Sequence, residues 1–439
     1  MPGQKHGSST RFHIHTLGCK INQYESQAVR ERWEERGWRE AGGAGLADVV
    51  LVHTCAVTSG AVADSRRAVS RLVRAAPGAR VLVTGCASQV EAGAFAAIPG
   101  VEVVVPQSAK PGLGAWSPGC VLPDVADAAA PTRGSWPDFS ISRFRRARPI
   151  LKVQDGCSHC CTYCIVPRAR GPARSRPYED ILGEARLLLD SGHRELILSG
   201  INLGQYEFDG GGDFWTLLAR LEADLSPQWA GAARLRLSSL DPGMLGAPAL
   251  KVLAASRMTC PHLHLSMQSG DPGVLAAMGR AHYQPRSVLD FLGEVRTFWP
   301  HAALGADILT GFPGESESAF QATREFCLTA RLGYAHVFAF SRRPGTLAAK
   351  AAGQLGKEEK KRRAAILRDD LERLERAYLE EIAGLAHLVM AVEGEQALNG
   401  SSEYYVECRL ERPSPVPWGG LLPVRPLGVR DGALLVEPA

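Results

Sequence analysis

Gln154-Asp155-Gly156-Cys157-Ser158-His159-Cys160-Cys161-Thr162-Tyr163-Cys164-Ile165-Val166-Pro167 is the stretch that decides the fold, and Cys157, Cys161 and Cys164 give it a CxxxCxxC spacing. Three cysteines leave a metal site one ligand short. A structural zinc site closes with four protein ligands, whereas a cubane cluster on three thiolates keeps one iron open for a substrate or cosubstrate. The spacing therefore predicts chemistry at a metal. Cys160 lies beside Cys161, so CxxC pairings compete on the residues alone.

The cysteine stretch follows the first of six predicted strand and helix units. An alternation of this kind, with parallel strands, predicts a partly closed β/α barrel that carries its chemistry at the carboxyl ends of the strands. The predicted strands are 149–153, 195–199, 234–238, 262–267, 302–309 and 334–340, and the predicted helices are 177–191, 213–223, 244–255, 286–298 and 316–330.

The carboxyl ends of the later strands are rich in glycine and in hydrogen-bonding side chains. Glycine lets a ligand approach the backbone closely, and Ser, Asn and Gln can bind a small polar molecule. Each residue alone could belong to a turn, but together they predict a nucleotide-sized pocket. Its candidate cofactor-binding residues are Ser199, Gly200, Asn202, Ser238, Gln268, Ser269 and Gly311.

The first hundred residues predict a second α/β sheet. Strands are predicted at 11–17, 48–53, 80–84 and 101–105, and helices at 22–36, 61–75 and 89–97. Cys19, Cys55 and Cys86 each follow one of the first three strands. Because ligands collect at the carboxyl ends of the strands in an open parallel sheet, these cysteines predict a second three-thiolate site.

Positive charge is concentrated around the cysteine stretch. Residues 106–142 are rich in Pro, Ala, Gly and Ser, which predicts an interdomain connection, and residues 143–176 then hold eight Arg and one Lys against one Asp, a net charge of +8. The whole chain carries only +4. One or two of these cations would neutralise thiolates and a bound carboxylate, and the others predict contact with a phosphate backbone.

The remaining chain predicts a charged helix over residues 357–383 and a small β-barrel module over 384–439. The module has four Arg against six Glu and one Asp, a net charge of −3 and a poor electrostatic match to RNA. We therefore predict an α/β protein with three domains. They span residues 1–125 (N-terminal parallel sheet), 143–383 (partial β/α barrel) and 384–439 (β-barrel module).

Composition narrows the class of protein. The chain has 439 residues, of which 45% are hydrophobic and 22% charged, as in ordinary globular proteins. Eleven cysteines without an apolar segment after the polar start predict a reducing cytoplasmic location, and no stretch predicts a membrane span. Cys120, Cys260, Cys327 and Cys408 fall outside both triads and are predicted to be small buried hydrophobic residues.

The ordered motifs resemble the radical S-adenosylmethionine methylthiotransferases, most closely the branch that modifies threonylcarbamoyladenosine in tRNA. The resemblance runs nearly end to end. It departs at Ser266 and Met267, where Pro-Leu is more usual. The motifs are LGCKINQYES (17–26), HTCAVT (53–58), TGCASQ (84–89), QDGC (154–157), CTYCIVP (161–167), LSSLDP (237–242), HLHLSMQSG (262–270), LTGFPGE (309–315) and FSRRPGT (340–346).

The resemblance implies two 4Fe-4S clusters. Cys157, Cys161 and Cys164 would hold the catalytic cluster, whose open iron binds S-adenosylmethionine, and one-electron reduction would yield a 5′-deoxyadenosyl radical. Cys19, Cys55 and Cys86 would hold an auxiliary cluster that carries the sulfur to be inserted. A radical is needed because the C2–H bond of adenine is neither acidic nor electrophilic.

The implied product is 2-methylthio-N6-threonylcarbamoyladenosine at position 37, in the anticodon loop of tRNA. A second S-adenosylmethionine would supply the methyl group. The implied partners are tRNA, a one-electron reductant of the flavodoxin or ferredoxin type and a sulfur donor. The modified nucleotide lies in a single-stranded loop, where a base can be splayed out and read.

Three alternatives stay open. N6-isopentenyladenosine in tRNA is the chemically closer alternative substrate. A ribosomal-protein aspartate is favoured by the acidic C-terminal module but opposed by the arginines. A non-enzymatic RNA-binding module with structural zinc would need closed four-ligand sites, which neither cysteine triad provides.

Overall fold

The computed structural model describes residues 9–123, 136, 139–394 and 396–439. The chain divides into two compact units. The first contains the described residues up to Ile141 together with Gly156–Ser158 and Ile165–Arg174, and the second contains Ser142–Asp155, His159–Cys164 and Ser175–Ala439. The cysteine stretch therefore contributes residues to both units. In the described ranges, no helix has both the length and the apolar character needed to cross a membrane.

The first unit is built on a parallel sheet with the strand order β2-β1-β3-β4-β5. Val50, Val52, Val81 and Val83 on its central strands pack against helices and are fully or almost fully buried. The strands are β1 (Arg11–Thr16), β2 (Arg39–Glu40), β3 (Val49–Thr54), β4 (Arg80–Gly85) and β5 (Val101–Val104). The helices are α1 (Lys20–Glu35), α2 (Ser59–Ala75), α3 (Cys86–Val90), α4 (Ala92–Ala96) and α5 (Val166–Arg170).

The second unit begins with parallel strands that follow one another in chain order, as in a partial barrel. Two three-stranded sheets, β10-β9-β6 and β11-β12-β13, are linked by a parallel bridge between Leu240 and Leu265. The strands are β6 (Ile150–Lys152), β7 (Gln154–Asp155), β8 (Arg174–Ser175), β9 (Glu195–Ser199), β10 (Arg234–Leu237), β11 (His262–Gln268), β12 (Ala303–Thr310) and β13 (Tyr334–Ala339). The helices are α6 (Tyr178–Asp190), α7 (Phe214–Trp229), α8 (Ala247–Ala255), α9 (Pro272–Ala277), α10 (Pro285–Phe298) and α11 (Glu317–Thr329).

A long helix and a closed barrel complete the second unit. Helix α12 (Lys357–Ala383) inserts Leu379 and Ile382 into the barrel core beside Met390 and Val436. The barrel has the strand order β14-β15-β16-β18-β17. Its strands are β14 (Leu388–Glu393), β15 (Asn399–Ser402), β16 (Glu407–Leu410), β17 (Leu421–Arg430) and β18 (Ala433–Pro438). Short 3-10 turns occur at Ala44–Leu46, Lys110–Gly114, Leu203–Gln205 and Pro242–Met244.

The predicted fold class is confirmed: a parallel α/β sheet, a β/α array of parallel strands and a C-terminal closed barrel. Two helix predictions were wrong in detail. Residues 89–97 form parts of α3 and α4, which break at Glu91 (φ −123°, ψ 44°). Helix α7 continues past the predicted end at residue 223 to Trp229, because Leu225 extends its buried apolar stripe.

One cysteine prediction was also wrong. Cys260, Cys327 and Cys408 are buried as expected, but Cys120 is exposed. Cys120 ends a turn in which its backbone N–H donates to Ser117, so its side chain enters no core. The predicted connection at residues 106–142 contains a 3-10 turn at Lys110–Gly114, and its remainder falls partly on 124–135 and 137–138, outside the described residues.

Candidate active site

The N-terminal cysteines lie at one edge of the parallel sheet, where adjacent strands β1, β3 and β4 end. Cys19 precedes α1, Cys55 follows β3 and Cys86 begins α3. A Cβ atom on Gly18, whose φ is 91°, would lie 2.7 Å from Cys55 Sγ. The loop that carries Cys19 therefore touches Cys55, and only glycine fits this contact. The structure brings the three thiol-bearing loops to the same sheet edge.

The pKa of the Cys55 thiol indicates under which conditions the three cysteines would be thiolates. Burial raises the pKa of the Cys55 thiol to about 11, and the nearby Cys19 and Cys86 sulfurs contribute to the rise. A coordinated metal ion has the opposite effect, since it deprotonates a thiol ligand. This edge of the sheet would thus hold thiolates only together with a compensating positive charge.

A buried polar network, which we call the Arg170 network, lies behind this edge. It consists of Asn22, Glu25, His53, Lys110 and Arg170, all of them at most 2% exposed. Arg170 Nη1 donates to Glu25 Oε1 (2.9 Å) and its Nη2 donates to Asn22 Oδ1 (2.8 Å). Lys110 Nζ donates to Glu25 Oε2 (2.7 Å). The network connects α1 and α5 to the ends of the strands.

The Arg170 network contains more positive than negative charge. Burial and the charge of Lys110 lower the pKa of His53 to about 3, so the ring is neutral. Two cations, Arg170 and Lys110, then face the single carboxylate of Glu25. A positive charge close to a thiol favours its thiolate form. Arg170 accordingly lowers the pKa of Cys86, although burial raises that pKa overall.

The CxxxCxxC loop is shaped by two tight contacts, one in each unit. In the first unit, Cys157 N donates to Gly171 O (3.0 Å), and a Cβ on Gly156 (φ 70°) would lie 2.0 Å from Pro172 O. In the second unit, Cys164 N donates to Cys161 O (3.0 Å), which closes a turn. Cys157, Cys161 and Cys164 are partly buried, whereas Cys160 is exposed.

Arg280, which the sequence reasoning missed, lies against the cysteine loop. Its Nη1 donates to Cys161 Sγ (3.6 Å), while its Nη2 donates to Asp241 Oδ2 (2.8 Å). Asp241 also accepts from the Gly243 backbone and contacts His282 Nε2 at 2.8 Å. Arg280 thus places a fixed positive charge beside the Cys161 thiol. The LSSLDP motif, which contains Asp241, was the available signal.

The predicted pocket residues lie at the carboxyl ends of their strands. Ser199 ends β9, Ser238 follows β10 and Gln268 ends β11 with a φ of 64°. Gly200 and Asn202 continue from β9, and both contact Gln154, whose Oε1 accepts from Asn202 N at 2.8 Å. Sequence reasoning missed this role of Gln154.

Two other pocket residues are engaged within their own turns. The Ser269 hydroxyl lies 3.1 Å from Thr323 Oγ1 and accepts from Asp271 N, so it shapes the turn before α9. Gly311 donates its backbone N–H to Glu315 Oε2 (2.7 Å), and the space beside its Cα is filled by Lys360.

The cations of residues 143–176 divide into buried and exposed groups. Lys152 pairs with Asp155 and Arg176 with Glu184, and Arg170 belongs to the network above. Partly buried Arg148 pairs with Glu393. More of the nine cations therefore serve internal ion pairs than the sequence predicted. Arg143, Arg145, Arg146 and Arg168 are exposed, and Arg174 is half-buried.

Two protein-family models match the chain. Residues 11–106 match an uncharacterised protein family, UPF0004, and residues 151–327 match the radical SAM superfamily. The first match covers the sheet with Cys19, Cys55 and Cys86. The second covers the CxxxCxxC loop and most of the partial barrel.

Relatives of known name match over most of the chain. Threonylcarbamoyladenosine tRNA methylthiotransferase MtaB of Bacillus subtilis (strain 168) is 34% identical over 82% of this chain and 80% of its own length. The protein of the same name from Chlamydia pneumoniae is 31% identical over 97% of both chains. The tRNA-2-methylthio-N(6)-dimethylallyladenosine synthase of Sphingopyxis alaskensis (strain DSM 13593 / LMG 18877 / RB2256) is 31% identical over 99% of both.

A solved structure shares the fold. The radical S-adenosylmethionine methyltransferase TsrM from Kitasatospora setae, with cobalamin and a [4Fe-4S] cluster bound, matches with a TM-score of 0.57. It covers 78% of this chain and 74% of its own at 14% identity. At this identity the likeness concerns the fold alone.

Proposed function

This chain belongs to the radical S-adenosylmethionine tRNA methylthiotransferases, and on that premise we propose that it inserts a methylthio group at C2 of N6-threonylcarbamoyladenosine at position 37 of tRNA. The observation that carries the proposal is the pair of cysteine triads. One lies at three neighbouring strand ends and the other in the loop after β7. Positive side chains lie near both: Arg170 and Lys110 near Cys86, and Arg280 beside Cys161. We also propose a cytoplasmic location, which fits the use of thiolate ligands.

We assign the catalytic cluster to Cys157, Cys161 and Cys164. A reduced 4Fe-4S cluster supplies the single electron that cleaves S-adenosylmethionine. Arg280 would stabilise the negative charge of the thiolate of Cys161, because its guanidinium donates to that sulfur. The strand-end residues around Gln154 would bind S-adenosylmethionine. We assign this role to Ser199, Gly200, Asn202, Ser238 and Gln268, while Ser269 and Gly311 would shape the adjoining turns.

We assign an auxiliary cluster to Cys19, Cys55 and Cys86. The supporting observation is that the charges of Arg170 and Lys110 both lower the pKa of Cys86, although burial raises it overall, because positive charge favours a thiolate over a neutral thiol. Cys55 is the most buried of the three ligands and would be shielded from water and oxidants. A sulfur donor and a one-electron reductant of the flavodoxin or ferredoxin type complete the proposed set of partners.

The domain roles follow from these assignments. We propose that residues 1–125 carry the auxiliary cluster, that 143–383 generate the radical, and that 384–439 form a module that assists RNA binding. The exposed residues Arg143, Arg145, Arg146 and Arg168 would contact the phosphate backbone of tRNA. A flexible anticodon loop offers its bases to such a site more readily than a duplex does.

N6-isopentenyladenosine in tRNA is the second candidate substrate. The supporting observation is the dimethylallyladenosine synthase of Sphingopyxis alaskensis, which matches 99% of both chains. Both reactions would use the same cysteines and the same C2–H bond, so the two substrates differ only in the group on N6.

Mass spectrometry of tRNA nucleosides tests the choice of substrate. A strain without this protein should accumulate N6-threonylcarbamoyladenosine and lack its 2-methylthio form, and the unchanged gene should restore that form. Cys161→Ala should fail to restore it, because the proposed cluster loses a ligand. Cys120→Ala is the matched control, since Cys120 is exposed and outside both triads. Restoration by Cys161→Ala, or restoration of only the isopentenyl product by the unchanged gene, would refute the proposal.

A further inference from the structure

A segment that we call the strap, residues 341–356, lies between β13 and α12 and contains most of the FSRRPGT motif. Ala348 N in the strap donates to the backbone oxygen of Thr162 (2.8 Å), which lies inside the CxxxCxxC loop. Further along the strap, Gly353 O accepts from Gly314 N (2.9 Å), in the loop that follows β12. The strap is therefore bonded both to the cysteine loop and to a loop at the carboxyl end of a barrel strand.

Further contacts fix the backbone of the strap. Ala348 is buried and packs in an apolar cluster that also contains Phe312. Gln354 Nε2 donates to the backbone oxygen of Ala348 (2.8 Å). Thr346 is buried as well, and its hydroxyl donates to Arg343 O (2.8 Å), which closes a turn. The exposed side chains of the strap are therefore attached to a backbone that is held in a defined position.

Leu347 is exposed on the strap although both of its neighbours are buried. Its exposed fraction is 71%, whereas that of Thr346 is 6% and that of Ala348 is 1%. A single exposed leucine is common on protein surfaces and would need no explanation elsewhere. Leu347, however, is one residue from the backbone contact with the cysteine loop. The strap therefore presents an apolar side chain beside the loop to which we assign the catalytic cluster.

The strap carries positive charge and no negative charge. It contains Arg342, Arg343 and Lys350 but neither Asp nor Glu. Lys350 is exposed and forms no ion pair with any residue in the described part of the chain. Its backbone N–H donates to Leu347 O (3.0 Å), so the cation and the exposed leucine belong to one turn. A cation beside an apolar side chain matches the two surfaces of single-stranded RNA, its phosphates and its bases.

We infer that the strap is an RNA-binding surface, in which Lys350 binds a phosphate of the anticodon loop and Leu347 packs against the base next to the target adenosine. This inference rests on the proposed function and names a surface that holds its substrate. An enzyme that reacts with a base has to take that base out of its stack. Apolar side chains fill the space between unstacked bases in other nucleic-acid complexes. Leu347 would in this way stabilise the loop while the target adenine is turned out.

Leu347→Ala and Lys350→Gln test the two contacts in the full-length, cluster-reconstituted protein. The probe is an anticodon stem-loop RNA that contains N6-threonylcarbamoyladenosine, followed by 2-aminopurine, a base whose fluorescence increases when it is unstacked. Anisotropy of a dye on the same RNA gives the affinity at several salt concentrations. The matched controls are Leu187→Ala and Lys251→Gln, because Leu187 is 54% exposed on α6 and Lys251 is exposed on α8.

We expect Leu347→Ala to weaken RNA binding by about tenfold, as for the lost burial of one large apolar side chain, and to remove most of the fluorescence increase. Leu347→Met keeps the side-chain volume, so its affinity should stay within about threefold of the unchanged protein. Lys350→Gln should reduce the salt slope by about 0.7, the value for one phosphate of a single strand. Neither control should alter these values. Cleavage of S-adenosylmethionine without RNA should be unchanged, which shows that the variants are folded.

Two results would overturn the inference. One is that Leu347→Ala binds and unstacks the RNA as the unchanged protein does. The other is that each strap variant and its control reduce affinity or salt slope equally, because the effect would then belong to any exposed leucine or lysine. An unchanged protein that binds and unstacks this RNA but never methylthiolates it would instead refute the proposed function, so the two failures are distinguishable.

Discussion

Glu195 is a buried carboxylate that holds the radical S-adenosylmethionine strands to the C-terminal barrel. It accepts from Arg236 Nε and from Arg234 Nε, both at 2.6 Å, and from Arg236 Nη2 at 3.1 Å. The same arginines donate onward to backbone carbonyls of the barrel: Arg234 to Val389 and Ser401, and Arg236 to Ser402 and Glu403. One carboxylate therefore orients two guanidinium groups that join the two parts.

Glu195→Gln should loosen this junction. The substitution keeps the shape but removes the negative charge and turns one acceptor into a donor that faces a guanidinium. Breaking a buried ion pair by removing one partner costs about 3 to 5 kcal/mol. If the substitution lowers the free energy of local opening of β14 and β15 by this amount, their amide hydrogens should exchange roughly 100- to 4,000-fold faster. Each tenfold change in exchange rate corresponds to about 1.4 kcal/mol.

Hydrogen–deuterium exchange with mass spectrometry measures this effect on peptides that cover residues 388–403. Glu437→Gln is the matched control, since Glu437 lies in the same barrel but forms an exposed ion pair with Arg425. Exposed pairs contribute at most about 1 kcal/mol, so this control should change exchange by less than about tenfold. Similar exchange in both variants would refute the argument that Glu195 holds the junction.

The effect of Glu195→Gln on amide exchange should become smaller at low pH. Burial alone would raise the pKa of Glu195, but Arg236 and Arg234 together hold it well below its usual value. The folded pKa lies below the unfolded one, near 4.3, so the carboxylate stabilises the fold fully above that pH and progressively less as the pH falls through the folded pKa. The exchange difference between the unchanged protein and Glu195→Gln should therefore shrink below about pH 4. An exchange difference that stays constant as the pH falls would contradict this pH dependence.

Two further predictions concern the proposed clusters and the RNA. Anaerobic reconstitution should give roughly eight irons per chain; Cys161→Ala should lose reductive cleavage of S-adenosylmethionine, whereas Cys55→Ala should retain cleavage and lose methylthiolation, and equal loss of both activities in each variant would contradict separate roles. Replacing Arg143, Arg145, Arg146 and Arg168 by Gln should reduce the salt slope of tRNA binding by as much as about 3. The matched control replaces four surface cations away from the cysteine stretch, Arg220, Lys251, Arg257 and Arg286, and an equal reduction there would exclude a specific contact.

Local patterns were enough to predict most strands. Residues 80–84 and 101–105 were predicted as strands and appear as β4 (Arg80–Gly85) and β5 (Val101–Val104), because short runs of Val between turn residues have few other stable conformations. Short pairings were missed. Strand β2 has only Arg39 and Glu40, and its pairing with Arg11 and Phe12 depends on a distant strand that no local pattern reveals.

The sequence gives the number of charged residues around the cysteine stretch but not the partner of each. Arg170 appeared to be one of nine cations available to RNA, yet it is 2% exposed and bonds to Glu25, 145 residues earlier. The partner of Arg176, Glu184, lies closer but on a helix. Sequence gives the number of charges, whereas their availability depends on tertiary pairing. Arg280 was missed for the same reason, because Cys161 lies 119 residues before it.

Tertiary pairing also affects how strongly the acidic C-terminal barrel would repel RNA. Its net charge of −3 predicted a poor match to RNA, but several of its carboxylates are engaged within the second unit. Glu403 accepts from Val389 N, and burial raises its pKa. Glu393 pairs with Arg148 and Glu437 with Arg425. A carboxylate that is paired or buried repels a phosphate less than an exposed one does, since its field is largely cancelled by its partner. The acidic count is therefore compatible with RNA binding at the separate arginines of residues 143–146 and 168.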